Sequence, residues 1–168
     1  MTIVLMGAPG AGKSTVGKRL ARKLGKTFVD VDQRIEEVMG KPVAEIFADE
    51  GEQYFRALEQ EATLELLGAF DVVALGGGAI MTPGIQEALR EGGHDVIWLK
   101  VSIGQATRRV GMNKARPLLL GNVRGRLIEL LRERNPVYEA LATQIVETDG
   151  RGSSEVADQL AAERGAEQ

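Results

Sequence analysis

The stretch that decides the fold is Gly7-Ala8-Pro9-Gly10-Ala11-Gly12-Lys13-Ser14, which fits the pattern GxxxxGK[ST]. It follows a short apolar run typical of a β-strand, Thr2–Met6. It precedes a helical pattern that places Val16, Leu20 and Leu24 on one face. A strand, a glycine-rich turn and an amphipathic helix in this order are the context that a phosphate-binding loop requires.

The spacing of this motif has a chemical reason. Glycines let successive backbone N–H groups turn toward one anion without Cβ clashes, and the next helix adds its own unpaired N–H groups and the positive end of its dipole. Lys13 is expected to reach the β- and γ-phosphate oxygens of a nucleotide, and the Ser14 hydroxyl to ligate Mg²⁺. The alternative is a tight glycine-rich turn without a ligand, and the flanking strand and helix argue against it.

Four further strand-like runs, separated by helical patterns, give the chain a βα alternation. The five runs are Thr2–Met6, Thr27–Val31, Asp71–Leu75, Asp95–Val101 and Gln144–Val146. Their apolar residues are nearly continuous rather than alternating, which suits strands buried on both faces. The sequence therefore predicts an α/β fold with a parallel sheet flanked by helices.

The helices are predicted from periodicity and from residues that stop helices. Gly25 is expected to end the first helix, and one long acidic helix is predicted from about Val43 to Leu67. A further helix is predicted from Pro83 to Arg90. The last is predicted from about Val123 to Arg134, where Asn135-Pro136 would stop it.

Charge is segregated along the chain. The stretch between Val96 and Ile128 carries +7 and no acidic residue, although the net formal charge of the chain is −3. Within it, Arg109–Gly125 is rich in glycine, shows little periodicity and is predicted to be a mobile loop or lid. A solvated basic face is the simpler interpretation, and a lid that closes over a polyanion is the alternative.

Length and composition limit the class of protein. A chain of 168 residues, 43% hydrophobic and 27% charged, suits one domain over residues 1–168. The small negative charge argues against nucleic acid or an acidic membrane as partner. Without cysteine, thiolate zinc sites, disulfides and cysteine nucleophiles are excluded. The first apolar run is too short for a signal sequence or a membrane span, so a cytoplasmic protein is expected.

Two acidic residues mark the end of the second strand-like run. Asp30 and Asp32 lie at the carboxyl end of a strand, where ligands of open α/β sheets bind. Their spacing points both side chains the same way if the chain is still extended there. One carboxylate could then serve the metal shell and the other a hydroxyl of an acceptor. The alternative is that Asp32 only caps a helix beginning near Gln33.

The third strand-like run ends in Gly76-Gly77-Gly78 without a carboxylate. A motor or switch protein usually needs an acidic residue there, so its absence from the sequence favours phosphoryl transfer to a substrate. Three successive glycines would also let the backbone approach a small molecule closely.

Two arginines complete a candidate acceptor site. Arg56 has a simple alternative role in an ion pair with Glu52 or Glu59 on the same helix, and Arg134 could merely compensate a helix dipole. If both converge with Asp32 on one small molecule, the guanidinium groups suit a carboxylate and the aspartate suits hydroxyls.

These residues resemble the shikimate kinases, the small P-loop phosphotransferases of the aromatic amino-acid pathway. The similarity covers nearly the whole chain, and the order and spacing of its elements are more specific than any element except the first. The elements are Gly7–Thr15, Phe28-Val-Asp-Val-Asp32, Ile46-Phe, Gly51-Glu-Gln-Tyr-Phe-Arg56 with Glu59, Leu75-Gly-Gly-Gly-Ala79, Arg116-Pro-Leu-Leu119 and Arg134-Asn-Pro-Val-Tyr138.

The resemblance implies a five-stranded parallel sheet in the order 2-3-1-4-5, with a P-loop kinase fold and a mobile lid at about residues 109–125. It also implies ATP-dependent phosphorylation of the 3-hydroxyl of shikimate by a monomer that uses Mg²⁺. Helices between about residues 32 and 62 would bind the acceptor.

The resemblance further implies a role for each candidate residue. The catalytic residues would be Lys13, Asp32 and Arg116. Residues that bind the nucleotide would be Gly10, Ala11, Gly12, Lys13, Ser14, Thr15, Arg109, Arg116 and Arg151. Residues that bind shikimate would be Asp32, Phe47, Phe55, Arg56, Gly76, Gly77, Gly78 and Arg134. The metal would be held by Ser14 and, through its water shell, by Asp30.

Two other functions stay open on the sequence. A gluconate or nucleoside-monophosphate kinase would share the phosphate loop and the size, but a nucleoside-monophosphate kinase must also bind a second phosphate and a base. Asp32 together with Arg56 and Arg134 favours a hydroxylated carboxylate instead. A nucleotide-dependent regulatory module is the alternative from another class, and the basic lid argues against it.

Overall fold

Strands and helices alternate through residues 1–111 and 122–165, the part of the chain that the computed structural model describes. The strands are β1 (Ile3–Met6), β2 (Phe28–Asp30), β3 (Val72–Ala74), β4 (Asp95–Lys100) and β5 (Gln144–Glu147). The helices are α1 (Lys13–Leu24), α2 (Val31–Met39), α3 (Val43–Glu50), α4 (Glu52–Ala69), α5 (Pro83–Glu91), α6 (Ile103–Gly111), α7 (Val123–Leu141) and α8 (Ser153–Gly165), with a 3-10 turn at Ala79–Met81. The predicted α/β alternation is confirmed.

The five strands form one parallel sheet in the order β2-β3-β1-β4-β5, as the resemblance implied. The central strand β1 is buried along its whole length. Ile3 and Leu5 belong to the apolar cluster on one face of the sheet, and Val4 and Met6 belong to the cluster on the other face. Helices therefore cover both faces, and the loops after β1, β2 and β3 meet at the carboxyl edge of the sheet.

The prediction of one helix from Val43 to Leu67 is wrong, because Gly51 divides it. Gly51 has φ 88°, a left-handed value that L side chains rarely adopt, and it ends α3 and begins α4. The break separates the 8-residue helix α3 from the 18-residue helix α4. This positions Phe47 of α3 and Phe55 of α4 with ring centroids 4.7 Å apart.

The prediction that Asn135-Pro136 stops a helix is also wrong. Pro136 lies inside α7, which continues to Leu141. Proline removes one helical hydrogen bond, but the buried side chains of Tyr138 and Leu141 pack into the core and hold the next turn. Arg134 is therefore in the body of a helix rather than at its end.

The predicted loop at Arg109–Gly125 is helical at both ends, since α6 runs to Gly111 and α7 begins at Val123. Residues 112–121, which include Arg116, lie outside the described residues. Helix α8 packs against α1. The sequence patterns described above did not predict α8. None of the helices in the described ranges is long and apolar enough to cross a membrane.

Candidate active site

The loop between β1 and α1 is a close turn that depends on glycine. Gly12 caps α1 at φ 90°, and a Cβ on Gly7 would lie 2.6 Å from the carbonyl oxygen of Leu99. The Lys13 Nζ donates hydrogen bonds to the carbonyls of Gly7 at 2.8 Å and Ala8 at 3.2 Å. The lysine ammonium is thus held across the loop that precedes it, beside the N–H groups at the positive end of the α1 dipole.

A cavity of about 550 Å³ extends from this loop toward α2, α3, α4 and α7. Predicted site residues that line it are Gly10, Gly12, Lys13, Ser14, Thr15, Asp30, Asp32, Phe47, Phe55, Arg56, Gly77, Gly78, Arg109 and Arg134. Three other predicted residues, Ala11, Gly76 and Arg151, are not part of its lining. The phosphate loop and the candidate acceptor residues therefore share one cavity of the size that small ligands occupy.

Asp30 rather than Asp32 caps the helix after β2. The Asp30 Oδ1 accepts a hydrogen bond from the Gln33 backbone N–H at 3.0 Å, and α2 begins at Val31. The chain is not extended at Asp32, which lies in the first turn of α2, so the condition under which both side chains would point the same way is not met. The turn brings its side chain into the cavity while Asp30 fixes the start of the helix.

Asp32 has an environment unusual for a carboxylate. Its Oδ1 is buried and makes no hydrogen bond among the described residues. Burial, followed by repulsion from Glu59 and Asp30, raises the pKa of Asp32 from 3.8 to about 6, although Lys13 opposes the change. An acceptor oxygen without a donor among the described residues, near the Lys13 ammonium, is suited to receive a hydrogen bond from a ligand hydroxyl.

Glu59 is a buried acid that was not among the predicted site residues, although it was a possible ion-pair partner of Arg56. Its side chain is 1% exposed, and its Oε1 accepts a hydrogen bond from the Arg56 Nη1 at 2.7 Å. Burial raises the pKa of Glu59, whereas the guanidinium groups of Arg56 and Arg134 lower it. The spacing from Phe55 to Glu59 and to Thr63 could have placed it on the buried face of α4.

Gly76 lies between the two acids. A Cβ on Gly76 would stand 2.6 Å from the Asp32 Oδ1 and 2.7 Å from the Glu59 Oε2. Any larger residue would push one carboxylate out of its place. Gly76 thus shapes the wall of the cavity from behind.

Arg56 is fixed on several sides. Besides Glu59, it has Glu52 at 3.7 Å, so the ion pair on its own helix does form. Its guanidinium also lies 5.7 Å from the ring centroid of Phe47 and 5.6 Å from that of Phe55. Because the partner acid is buried, this pair is not an exposed surface contact, and it holds the guanidinium at the cavity.

Arg134 approaches the cavity from α7. Its Nη1 donates a hydrogen bond to the Gly77 carbonyl at 2.9 Å. The Tyr138 hydroxyl, one helical turn further, donates to the same carbonyl at 3.2 Å. A helix that stops at Pro136 would not continue to Tyr138, so the sequence did not predict that Arg134 and Tyr138 share one helix face.

The two arginines expected near the base of the nucleotide lie in different surroundings. The Arg109 Nη1 donates to the Gly10 carbonyl at 2.8 Å, which joins α6 to the phosphate loop. Arg151 instead donates to the side chain of Gln159 at 2.5 Å and lies 3.5 Å from Glu155 on α8. Arg109 lines the cavity and Arg151 does not.

Oxygen donors that suit a magnesium ion lie beside the phosphate loop. The Ser14 hydroxyl and the Asp30 carboxylate both line the cavity. Within residues 1–111 and 122–165, no group of three or more His, Cys, Asp or Glu residues could hold a metal. Mg²⁺ usually takes one or two protein oxygens together with substrate phosphate oxygens and water, so this donor set fits it.

The chain is similar to proteins of known sequence and structure. A model of the shikimate kinase family matches residues 9–163. A shikimate kinase from Thermobifida fusca is 50% identical over 161 residues, which cover 95% of this chain and 92% of that protein. A structure of the shikimate kinase from Acinetobacter baumannii in complex with shikimate has a TM-score of 0.89 at 33% identity, covering 100% of this chain and 95% of that one. The shikimate kinase of Aquifex aeolicus has a TM-score of 0.83 at 30% identity, covering 99% of this chain and 98% of that one.

Proposed function

This chain belongs to the shikimate kinase family, and on that premise we propose which of its residues carry each part of the reaction. The protein is a kinase that phosphorylates the 3-hydroxyl of shikimate with ATP, giving shikimate 3-phosphate and ADP in aromatic amino-acid biosynthesis. The observation that carries the assignment of residues is that Asp32, Arg56 and Arg134 line one cavity with the phosphate loop.

The phosphate loop binds the triphosphate. Backbone N–H groups of Gly10–Thr15 donate hydrogen bonds to the phosphate oxygens, and Lys13 neutralises charge on the transferred group. Ser14 and Asp30, which both line the cavity, are the residues that would hold Mg²⁺, and the ion would offset the phosphate charge. The position of Lys13 across the loop supports this role, because its ammonium group already lies among the backbone groups that would surround an incoming anion.

The two arginines bind the carboxylate of shikimate. Arg56 and Arg134 lie on different helices, α4 and α7, and both line the cavity. Guanidinium groups form paired hydrogen bonds with carboxylates, and two of them select an anionic acceptor over a neutral polyol. Phe47 and Phe55 supply an apolar wall for the ring, while Gly76, Gly77 and Gly78 keep the opposite wall close.

Asp32 binds and orients the hydroxyl that attacks the γ-phosphorus. With a pKa of about 6, its carboxylate is ionised at neutral pH and can accept the hydroxyl hydrogen bond that its Oδ1 lacks. The same carboxylate can take the proton as the O–P bond forms. Phosphoryl transfer passes through a loose transition state, so orientation of the hydroxyl contributes more than its basicity.

The other assignments follow the family. Arg116, outside the described residues, acts as a catalytic residue on a lid at about residues 109–125, and Arg109 and Arg151 bind the nucleotide. The chain forms a single kinase domain over residues 1–168, with the acceptor-binding helices at about residues 32–62. It works as a monomer in the cytoplasm and binds no nucleic acid. The small net charge of −3 supports the last assignment.

Conservative substitutions of the arginines test the acceptor site. Arg56→Lys and Arg134→Lys keep the charge but lose the paired hydrogen bonds, so each should raise the KM for shikimate about 10- to 100-fold with little change in the KM for ATP. Arg34→Lys, at a surface arginine whose nearest acid is Glu37 at 3.8 Å, is the matched control.

The measurement is coupled ADP release with shikimate, quinate, gluconate and nucleoside monophosphates as acceptors. We expect turnover with shikimate and a selective loss of its affinity in the two variants. An unchanged KM for shikimate in both, or an equal rise in the KM for ATP, would refute the assignment.

A further inference from the structure

The carbonyl of Gly77 accepts two hydrogen bonds from one helix. Arg134 donates through its Nη1 at 2.9 Å, and Tyr138 donates through its hydroxyl at 3.2 Å. A carbonyl oxygen has two lone pairs, so both donors can be satisfied at once. The two side chains of α7 therefore fasten the glycine loop after β3 to the helix.

The Tyr138 hydroxyl is held at the Gly77 carbonyl and also contacts the Arg134 side chain. The residue is 1% exposed, and its ring stacks on that of Trp98 with centroids 5.4 Å apart and planes 23° apart. Trp98 belongs to β4, so the ring is held against the sheet itself. Burial raises the pKa of Tyr138 to about 12, which keeps the phenol protonated as a donor at any pH at which the enzyme is assayed.

The orientation of the Gly77 carbonyl has consequences at the cavity. The peptide unit between Gly77 and Gly78 is planar and trans, so the Gly78 N–H points opposite to the Gly77 carbonyl, away from α7. Glycine alone would leave this peptide free to rotate, because it has no Cβ to restrict φ and ψ. The contact that fixes the carbonyl therefore also fixes Gly78, which lines the cavity.

The same contact fixes Arg134. Its guanidinium has several donors, and the bond from Nη1 to the Gly77 carbonyl sets the direction in which the others point. If the carbonyl turned, the guanidinium would turn with it. By holding the Gly77 carbonyl, Tyr138 therefore also influences the direction of the Arg134 guanidinium.

We propose that Tyr138 is a positioning residue for the acceptor: its hydroxyl holds the Gly77 carbonyl, and through that carbonyl it aims Arg134 at the shikimate carboxylate. The inference rests on the assignment of Arg134 under the proposed function. Tyr138 sets affinity for shikimate and leaves the binding of ATP unaffected, because its contacts lie on the side of the cavity formed by the β3 loop and α7.

Tyr138→Phe removes the hydroxyl and keeps the ring, its volume and its stacking. One buried hydrogen bond contributes modestly in net terms, so we expect the KM for shikimate to rise between about 2- and 10-fold. The KM for ATP and the melting temperature should change little. Trp98 is the only tryptophan of the chain, so its fluorescence reports whether the stacked pair is intact.

A matched control and a double-mutant cycle separate positioning from general packing. Tyr54→Phe makes the same chemical change at a tyrosine that is 41% exposed, and it should leave all parameters unchanged. In an Arg134→Lys background, Tyr138→Phe should have little further effect on the KM for shikimate, because the group it positions is already gone.

Three results would overturn the inference. They are an unchanged KM for shikimate in Tyr138→Phe, an equal rise in both KM values, and an undiminished effect in the Arg134→Lys background. An unchanged KM in Arg134→Lys alone would overturn the acceptor assignment as well. A raised KM in Arg134→Lys with an unchanged one in Tyr138→Phe would overturn only the role of Tyr138.

Discussion

Replacing Asp32 by asparagine should make the protein more stable and nearly inactive at the same time. The carboxylate is needed to orient the acceptor hydroxyl, yet it is partly buried and lies near the acids Glu59 and Asp30. This environment disfavours the charged form and raises the pKa of Asp32 to about 6, against 3.8 for an ordinary aspartate. Asp32→Asn removes the charge and nearly keeps the shape.

The size of the gain follows from the two pKa values. Each tenfold change in a protonation equilibrium is worth about 1.4 kcal/mol, so the difference between 3.8 and about 6 sets an upper limit of about 3 kcal/mol. The Asp32 side chain is only partly buried and solvent screens it, so we expect about 1–2 kcal/mol at pH 7.5. For a chain of this length that corresponds to about 2–8 °C in melting temperature.

The pH dependence of stability independently tests whether the Asp32 charge destabilises the folded protein. Between pH 4 and pH 6 the folded protein binds a proton at Asp32 that the unfolded chain has released, so stability falls as pH rises through this window. The wild-type protein should lose stability from pH 4 to pH 7 relative to Asp32→Asn, and the two should converge near pH 4. Thermal unfolding without nucleotide or metal measures this. Turnover of the variant should drop about 100-fold or more, with the KM for ATP unchanged.

Asp158→Asn is the matched control, because Asp158 is an exposed carboxylate paired with Lys23 at 2.8 Å. It should bring no gain in stability and no loss of turnover. Two results would contradict this prediction. One is an Asp32→Asn protein that is less stable than wild type at pH 7.5. The other is a stability difference between the two proteins that is as large at pH 4 as at pH 7.5. Turnover close to that of wild type would remove Asp32 from the mechanism.

Three further substitutions probe separate parts of the structure. Lys13→Ala should lower turnover about 1000-fold or more while the melting temperature stays nearly constant, as enzyme assay and thermal unfolding would report. Gly78→Ala would drive a Cβ into the guanidinium of Arg56, a flexible group that can move aside, so calorimetry should show weaker shikimate binding by a protein that still folds. Gly104→Ala is its control, because the nearest atom to that Cβ is 4.0 Å away. Pro136→Ala restores a helical hydrogen bond within α7 and should raise the unfolding free energy by about 1–2 kcal/mol in urea titration. A lower unfolding free energy in this variant would show that the helix accommodates the proline without strain.

Local sequence signals predicted the elements that depend on few residues. The strand-loop-helix unit around Lys13 was predicted because glycines, a β-run and an amphipathic helix each have a local cause. The parallel sheet followed from continuous apolar runs, whereas its strand order came from the family resemblance. Gly25 ends α1 in a left-handed conformation as expected.

Other features depend on contacts between distant residues, and local patterns could not predict them. Pro136 looked like a helix stop because the packing of Tyr138 against Trp98 on β4 is not visible along the chain. Asp30 rather than Asp32 caps α2, because strand β2 ends at Asp30, one residue before the end of the predicted run at Val31. Glu59 is buried against Gly76, and the lack of a side chain on Gly76 leaves space for the Glu59 carboxylate.

The most direct test of the acceptor site is a crystal structure with shikimate and a non-hydrolysable ATP analogue bound. We expect the shikimate carboxylate between the guanidinium groups of Arg56 and Arg134, a ring hydroxyl on the Asp32 carboxylate, and the γ-phosphate analogue facing that hydroxyl beside Lys13. Shikimate bound away from these three side chains would contradict the account, even if the nucleotide occupied the phosphate loop.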